Sequence, residues 1–340
     1  MAKVCYFEDY QVGQSGITTS GFGTRTITEA DLTHFACITS DYHRNHLDHH
    51  YMANSIYRVR VAHGVLGSSL ALGMLALNCP HTVGRDVPGA YLYSFDTNYR
   101  GGIKLGDTIA IGWRISEKIE STDYKGFGLL KTFYEVIDQD ETPLYDGIAS
   151  VLVRKESFKD AVLQLKPGAP QEVEEFTPDP DQDYYSEDYP IGKGGITTGR
   201  TITEADIVNF AGLVGDYNPL YVDAEFAKQG MFGERIAHPM QVFAYIFGLW
   251  ARERSKYREP KSNVAGHLND KATFLMPVKI GDTIRCRFWT ASSRVSRSRP
   301  EAGITVTQLQ AINQRGEVVQ EGSVVLMIPS REGLQKGKAA

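Results

Sequence analysis

Cysteines and long apolar runs are scarce in this sequence of 340 residues, and basic residues are outnumbered by acidic ones. The four cysteines are scattered and include no CxxC pair, which argues against a disulfide framework and against a thiolate metal site (Cys5, Cys37, Cys79 and Cys286). The net charge of −5 gives no electrostatic reason to expect nucleic acid or an anionic membrane as a partner. We therefore expect a protein of a reducing compartment that binds neither.

The sequence also lacks a membrane-spanning segment and a cleavable signal. Its most apolar run, 65–77, is shorter than the ~20 residues that a transmembrane helix needs, so it predicts a buried helix instead. The N-terminus has no apolar core of a signal peptide, and the final Lys-Ala-Ala is not a peroxisomal address. These features predict a cytoplasmic protein.

One unit of sequence occurs twice. Three segments recur at a constant offset of 175 positions, the first of them letter for letter: 25–31 at 200–206, 61–63 at 236–238 and 106–109 at 281–284. A register this constant over more than a hundred positions indicates a duplicated domain. The length of the chain also suits two domains of about 150 residues each.

The domain boundaries follow from composition. Residues 171–190 hold eight acidic residues, three prolines and no basic residue, and they follow the breaker cluster 166–170. Such a segment is predicted to be a solvated linker that cannot build a core. We assign residues 1–165 to the first domain, 166–190 to the linker, 191–330 to the second domain and 331–340 to a tail.

Each unit reads as helices followed by strands. Thr28 and Thr203 stand three residues before an aspartate, close to a capping box, and a helix-like apolar pattern follows each of them. Asp48 and Asp223 are expected to be helix N-caps. Four strands are then predicted in the first unit, at 91–99, 108–119, 126–137 and 148–154. This order predicts an α+β fold, a curved antiparallel sheet wrapped around one long buried helix.

Asp41 and His46 are the candidates for proton transfer. Imidazole titrates near neutral pH, and a neighbouring carboxylate fixes its tautomer or shares a water with it, so the two form a general acid/base pair. Taken alone, the aspartate reads equally well as a turn residue and the histidine as a surface residue. The second unit keeps the carboxylate as Asp216 but has Tyr221 in place of the histidine.

Gly64 opens the buried helix and is the candidate oxyanion donor. A backbone N–H at a helix N-terminus suits a developing negative charge, although a glycine here can also serve only close packing. The second unit has Pro239 at this position, and proline has no N–H. Imidazole and amide are thus lost together, as expected if only the first unit is catalytic.

These residues carry a resemblance to a known family. Asp41 and His46, followed by Val61-Ala-His-Gly64, resemble the motifs of the MaoC-like dehydratases, the R-specific enoyl-CoA hydratases with the hotdog fold. The duplication resembles the two-hotdog hydratases. The resemblance implies two tandem hotdog domains, with Asp41, His46 and Gly64 as catalytic residues and a coenzyme A thioester as substrate. It implies no cofactor and no metal, and it leaves a homo-oligomer open.

The sequence departs from the family motif at two positions. His43 and Arg44 stand where the family has Asn and Pro, and the second unit keeps Asn218-Pro219 but lacks the histidine. We take His43, His63 and Arg60 as candidate substrate-binding residues. His43 would polarise the water or signal an altered substrate, and Arg60 would meet a carboxylated acyl group, although its match to Arg235 fits a structural role equally well.

Three rival hypotheses remain. The cluster His43, His46, His49 and His50 suggests a metal, but its spacing fits no standard zinc pattern. The hotdog fold also includes acyl-CoA thioesterases, which do not need the Asp-to-His spacing. A non-catalytic acyl-thioester-binding protein is the third alternative, in view of His43 and Arg44.

Overall fold

The computed structural model describes residues 5–18, 23–78, 89–258, 260 and 266–331. Cys79 and residues 332–340 of the predicted tail lie outside this part of the chain. Cys37 and Cys286 are free thiols. No helix in the described part is both long and apolar enough to span a membrane.

The two units contain matching sets of helices. The first unit has α1 (Glu29–Thr39), α2 (Arg44–Leu47), α3 (His49–Ala53) and α4 (Gly64–Asn78). The second has α5 (Glu204–Val214), α6 (Pro219–Val222), α7 (Ala224–Gln229) and α8 (Pro239–Arg254). α4 and α8 are apolar on nearly every side, and the core surrounds them, as expected for helices buried all round.

The predicted N-caps are confirmed in both units. Thr28 and Thr203 form capping boxes with Asp31 and Asp206, three residues further on. Asp48 accepts a hydrogen bond from the backbone N–H of Tyr51 and so begins α3, and Asp223 caps α7 in the same way. These contacts satisfy backbone donors that the first turn of a helix leaves without a carbonyl partner.

The strands form a sheet that runs through both units. The first unit contributes β1 (Ser15–Ile17), β2 (Thr24–Thr26), β3 (Ala90–Tyr99), β4 (Thr108–Glu120), β5 (Phe127–Ile137) and β6 (Pro143–Arg154). The linker contributes β7 (Glu174–Glu175). The second unit contributes β8 (Lys193–Ile196), β9 (Arg200–Thr201), β10 (Gly266–Phe274), β11 (Thr283–Val295), β12 (Ala302–Ile312) and β13 (Val318–Pro329).

The order along the sheet is β1-β4-β5-β6-β3-β10-β13-β12-β11-β8-β7, with β2 beside β4 and β9 beside β11. Each unit therefore wraps an antiparallel sheet around its long helix, which confirms the predicted pair of hotdog domains. β3 and β10 join the units, and Asp96 pairs with Lys271, its own counterpart at the offset of 175. The joint is thus close to two-fold symmetric.

One predicted strand starts too late. The sequence predicts the fourth strand from Ile148, whereas β6 begins at Pro143 and includes Asp146 and Gly147. Aspartate and glycine read locally as a turn. Gly147 lies within the strand, where glycine is required because a Cβ would overlap the carbonyl oxygen of Asp96 on β3.

The prediction of a linker without core residues is wrong near its end. Tyr184 and Tyr189 are buried in a small aromatic cluster with Tyr257 and Ile328 of the second unit. Apolar ring area outweighs the acidic surroundings here because the carboxylates on this segment can remain in water. Ser186–Asp188 also forms a 3₁₀ turn that repeats the turn Phe7–Asp9 of the first unit.

Candidate active site

The loop after α1 positions Asp41. Ser40 ends the helix in the left-handed conformation, with φ of 69°, and so turns the chain sharply before the aspartate. Asp41 is 4% exposed, and one of its carboxylate oxygens accepts the backbone N–H of His43 at 3.2 Å. No residue in the described part of the chain donates a hydrogen bond to its second carboxylate oxygen.

A backbone carbonyl sets the tautomer of His46. Nδ1 of its ring lies 2.8 Å from the carbonyl oxygen of Val61. Because a carbonyl can only accept, Nδ1 carries the hydrogen, and Nε2 of the neutral ring has a free lone pair. The ring stacks on His63, with 3.7 Å between centroids. Asp41, His46 and His63 each offer a ligand-type atom within 4.8 Å of the others.

The histidines around Asp41 are held neutral at neutral pH. Burial is the main cause that lowers the pKa of His46 below its usual 6.5, and nearby His267 lowers it further. Burial, with the charge of Arg254, lowers the pKa of His43 to about 4. Burial lowers the pKa of His63 well below its usual value. His46 is therefore in the form that accepts a proton.

His63 bonds the backbone of Asp41 and not its carboxylate. Its Nε2 bonds the main-chain carbonyl of Asp41 at 3.0 Å. Its counterpart His238 instead bonds the side-chain carboxylate of Asp216 at 2.8 Å. The same histidine thus supports the loop in the first unit, whereas it occupies the carboxylate in the second.

Gly64 is the first residue of α4, so its N–H lies in the turn where no intrahelical carbonyl is available. Any side chain here would overlap Nδ1 of His267, which lies on β10 of the second unit. At the matching position, α8 begins at Pro239, as the sequence predicts. Only the first unit can therefore offer this amide.

We call the group Asp41, His46 and Gly64 the first site, and Asp216, Tyr221 and Pro239 the second site. The second site is filled by its own side chains. Tyr221 is 1% exposed, and its ring lies 4.7 Å from that of His238. Burial raises the pKa of its phenol well above 10, so it stays protonated and cannot act as a base.

The other two candidate binding residues have structural contacts. His43 is the N-cap of α2, and its Nδ1 accepts the backbone N–H of Asn45 at 3.4 Å, as Asn218 caps α6. Arg60 forms an ion pair with Glu29 on α1, and Arg235 repeats this pair with Glu204. The repeated ion pair gives Arg60 a structural role, and its contact with an acyl carboxylate remains a prediction.

The four histidines of the metal hypothesis are not the ones that the fold gathers. His49 and His50 are exposed on α3, and the trio with ligand-type spacing is Asp41, His46 and His63. One nitrogen of each histidine in that trio already bonds a backbone carbonyl. The absence of a metal remains a prediction, which metal analysis of the purified protein can check.

His267 is the residue of this region that the sequence reasoning missed. It lies beside Gly64 in space although about two hundred residues separate the two in the chain. The repeat gives no match for it, since the first unit has Leu92 at the corresponding position. A polar residue where the other copy is apolar was the available signal.

Comparison with known proteins agrees with this geometry. The family model described as MaoC like domain matches residues 18–126 and 190–311. The chain belongs to the MaoC-like dehydratase family.

Two curated relatives are named as a hydratase and a dehydratase. An (R)-specific enoyl-CoA hydratase of Rhodospirillum rubrum is 34% identical over 148 residues, 44% of this chain and 94% of the relative. A 3-hydroxybutyryl-CoA dehydratase of Methylorubrum extorquens is 31% identical over 117 residues, 34% of this chain and 68% of the relative. Together with the family match, they identify this MaoC-like protein as a hydro-lyase.

Solved structures share the duplicated architecture. A MaoC domain dehydratase from Chloroflexus aurantiacus superposes with a TM-score of 0.76 over 96% of this chain and 98% of its own, at 16% identity. A double-hotdog protein from Mycobacterium tuberculosis superposes with a TM-score of 0.70 over 96% and 99%, at 15% identity. At these identities the likeness establishes the fold alone.

Proposed function

We propose that this MaoC-like protein catalyses the reversible hydration of a 2-enoyl-CoA thioester to an (R)-3-hydroxyacyl-CoA at the first site. The observation that carries the proposal is the fixed tautomer of His46, together with the approach of one of its ring nitrogens to within 4.8 Å of a carboxylate oxygen of Asp41. The names of the two relatives support the substrate class.

The proposed reaction uses one water. Its oxygen bonds to C3 of the enoyl group as the C2=C3 π bond breaks, and one of its protons passes through the Asp41/His46 pair to C2. Neutral His46 accepts the proton at Nε2, while Asp41 orients the water. The Gly64 N–H donates to the thioester oxygen, where negative charge develops, and donors of this kind are worth ~3 kcal/mol in other enzymes. Dehydration is the reverse.

Matched substitutions in the two sites test the proposal. Hydration of crotonyl-CoA is followed by the loss of enoyl-thioester absorbance. His46→Ala and Asp41→Asn should each lower kcat by roughly a thousandfold, because a positioned acid or base contributes about 10²–10⁴. Tyr221→Phe and Asp216→Asn are the controls and should stay within a few-fold of wild type. Equal losses from all four variants would refute a single working site.

The products separate this function from the rivals. Free coenzyme A released from crotonyl-CoA without a hydroxyacyl product would indicate a thioesterase. Tight binding of the enoyl thioester without turnover would indicate a binding protein. Chiral analysis of the hydroxyacyl product should find the R form only.

A further inference from the structure

A chain of polar side chains leads from the second unit to the first site. Nε2 of His267 lies 2.6 Å from Oδ1 of Asp270, and Oδ2 of Asp270 accepts the hydroxyl of Tyr99 at 2.7 Å. That hydroxyl lies 2.7 Å from Oγ of Ser68, which lies one helical turn after Gly64 in α4. We call these four side chains the cross-unit chain. It joins His267 and Asp270 of the second unit to Tyr99 and Ser68 of the first unit.

The cross-unit chain aims one particular atom at the first site. Nδ1 is the atom of the His267 ring nearest to the place that a Gly64 side chain would occupy. β10 changes register between His267 and Asn269, and a bulge of this kind redirects a side chain away from the regular alternation. The ring packs against Tyr99, at 4.4 Å between centroids, and stacks on Phe247. Its orientation is therefore fixed from several sides.

His267 and Asp270 form a pair that is largely removed from water. Asp270 is 0% exposed, and a buried carboxylate without a compensating charge is strongly unfavourable. His267 is its ion-pair partner in the part of the chain that the structure describes. An imidazolium opposite a carboxylate makes the pair neutral as a whole. An imidazolium also carries hydrogen on both ring nitrogens, and in that form Nδ1 is a donor facing Gly64.

The second site has no equivalent of the cross-unit chain. At the offset of 175, His267 corresponds to Leu92, Asp270 to Phe95, Tyr99 to Phe274 and Ser68 to Phe243. These four counterparts are buried. The centroid of the Phe95 ring lies 5.0 Å from that of Phe243 and 6.0 Å from that of Phe274. Packing alone can therefore satisfy this position of the fold. The polar version occurs only beside the site that keeps its catalytic residues.

We infer that His267, held by Asp270, is a second hydrogen-bond donor to the thioester oxygen at the first site, so that the second unit completes the site of the first. This inference rests on the proposed function, since it assigns a further contact to the same thioester.

Kinetics of three variants test the inference. His267→Leu should lower kcat for crotonyl-CoA about a hundredfold with a smaller change in KM, as for the loss of an oxyanion donor. His267→Gln keeps a side-chain N–H and should lose only about tenfold. The double variant His267→Leu with Asp270→Asn removes the unpaired carboxylate, so its activity can be measured even if the single leucine variant does not fold. Leu92→Met is the matched control on the other side of the joint and should match wild type.

A spectrum separates donation from a structural role. 2,4-Hexadienoyl-CoA, bound to the Asp41→Asn protein to prevent turnover, should absorb at longer wavelength when donors polarise its carbonyl. His267→Leu in that background should reduce the shift, and His267→Gln should retain most of it. A full shift in the leucine variants would overturn the inference, whatever their activity.

The two proposals fail in different ways. A wild-type protein that hydrates no 2-enoyl-CoA would refute the proposed function. A wild-type protein that hydrates crotonyl-CoA, with leucine variants that do so equally well, would refute only the role of His267.

Discussion

The two units share a backbone plan but differ in what their loops leave open. In the first, His63 bonds the main chain of Asp41, and the carboxylate remains available. In the second, His238 bonds the carboxylate of Asp216, and the buried ring of Tyr221 stands where the first unit has His46. Helix caps, sheet order and the Arg60–Glu29 type of ion pair are common to both.

The difference teaches which features belong to the fold and which to the chemistry. Features present in both units, such as the capping boxes, are explained by stability alone. Features present in one unit only, such as the Gly64 amide and the cross-unit chain, are not required by the shared backbone plan, because the other unit folds without them. In a duplicated chain, each unit thus serves as a control for the other.

The strictest test of the difference between the two units is to restore the missing groups in the second site. Tyr221→His with Pro239→Gly, placed in a His46→Ala background, restores the missing imidazole and amide. We expect crotonyl-CoA hydration to stay at least about a thousandfold below wild type. The reasons are that His238 already occupies the Asp216 carboxylate and that Leu92 replaces His267.

The same pair of substitutions with His46 intact is the control for folding and should keep near-wild-type activity. Recovery of hydration in the His46→Ala background would show instead that imidazole and amide are the whole difference between the units.

A second comparison uses two glycines at equivalent helix crossings. A Cβ on Gly248 would overlap the carbonyl oxygen of Thr39, and one on Gly73 would overlap that of Val214. Gly73→Ala and Gly248→Ala should therefore each lower the free energy of unfolding by about 1–3 kcal/mol in urea denaturation.

Only Gly248→Ala should also reduce hydration, by tenfold or more, because Thr39 lies two residues before Asp41 and small displacements of catalytic groups are costly. An equal effect of the two alanines on activity would contradict the assignment of the working site to the first unit.

The pH dependence offers the mildest test. His46 must be neutral to accept a proton, and burial lowers its pKa below the usual 6.5. kcat/KM for crotonyl-CoA should therefore stay level from neutral pH down to 6.5 and fall only below the lowered pKa, about tenfold per pH unit. Tyr221→Phe should leave the profile unchanged, since the phenol is protonated throughout. A loss of kcat/KM on acidification that begins above pH 6.5 would be at odds with a buried neutral base at His46.

Much of the fold was predictable from local patterns. The capping boxes at Thr28 and Thr203, the apolar run that forms α4 and the alternating strands rest on interactions within a few residues, which sequence spacing records. The start of β6 was missed because glycine at position 147 is required by close packing against the neighbouring strand β3. Tyr184 and Tyr189 were missed because their partner Tyr257 is distant in the chain.

By itself, the sequence determined that one unit is duplicated, that Asp41 and His46 lie five residues apart, and that Tyr221 and Pro239 replace imidazole and amide in the second copy. Only the tertiary structure decided that the Val61 carbonyl fixes the tautomer of His46 and that His43 caps a helix. It also brought His267 to Gly64, because the antiparallel pairing of β3 with β10 sets that approach. Pairing between distant strands depends on the whole folded chain, and local spacing does not record it.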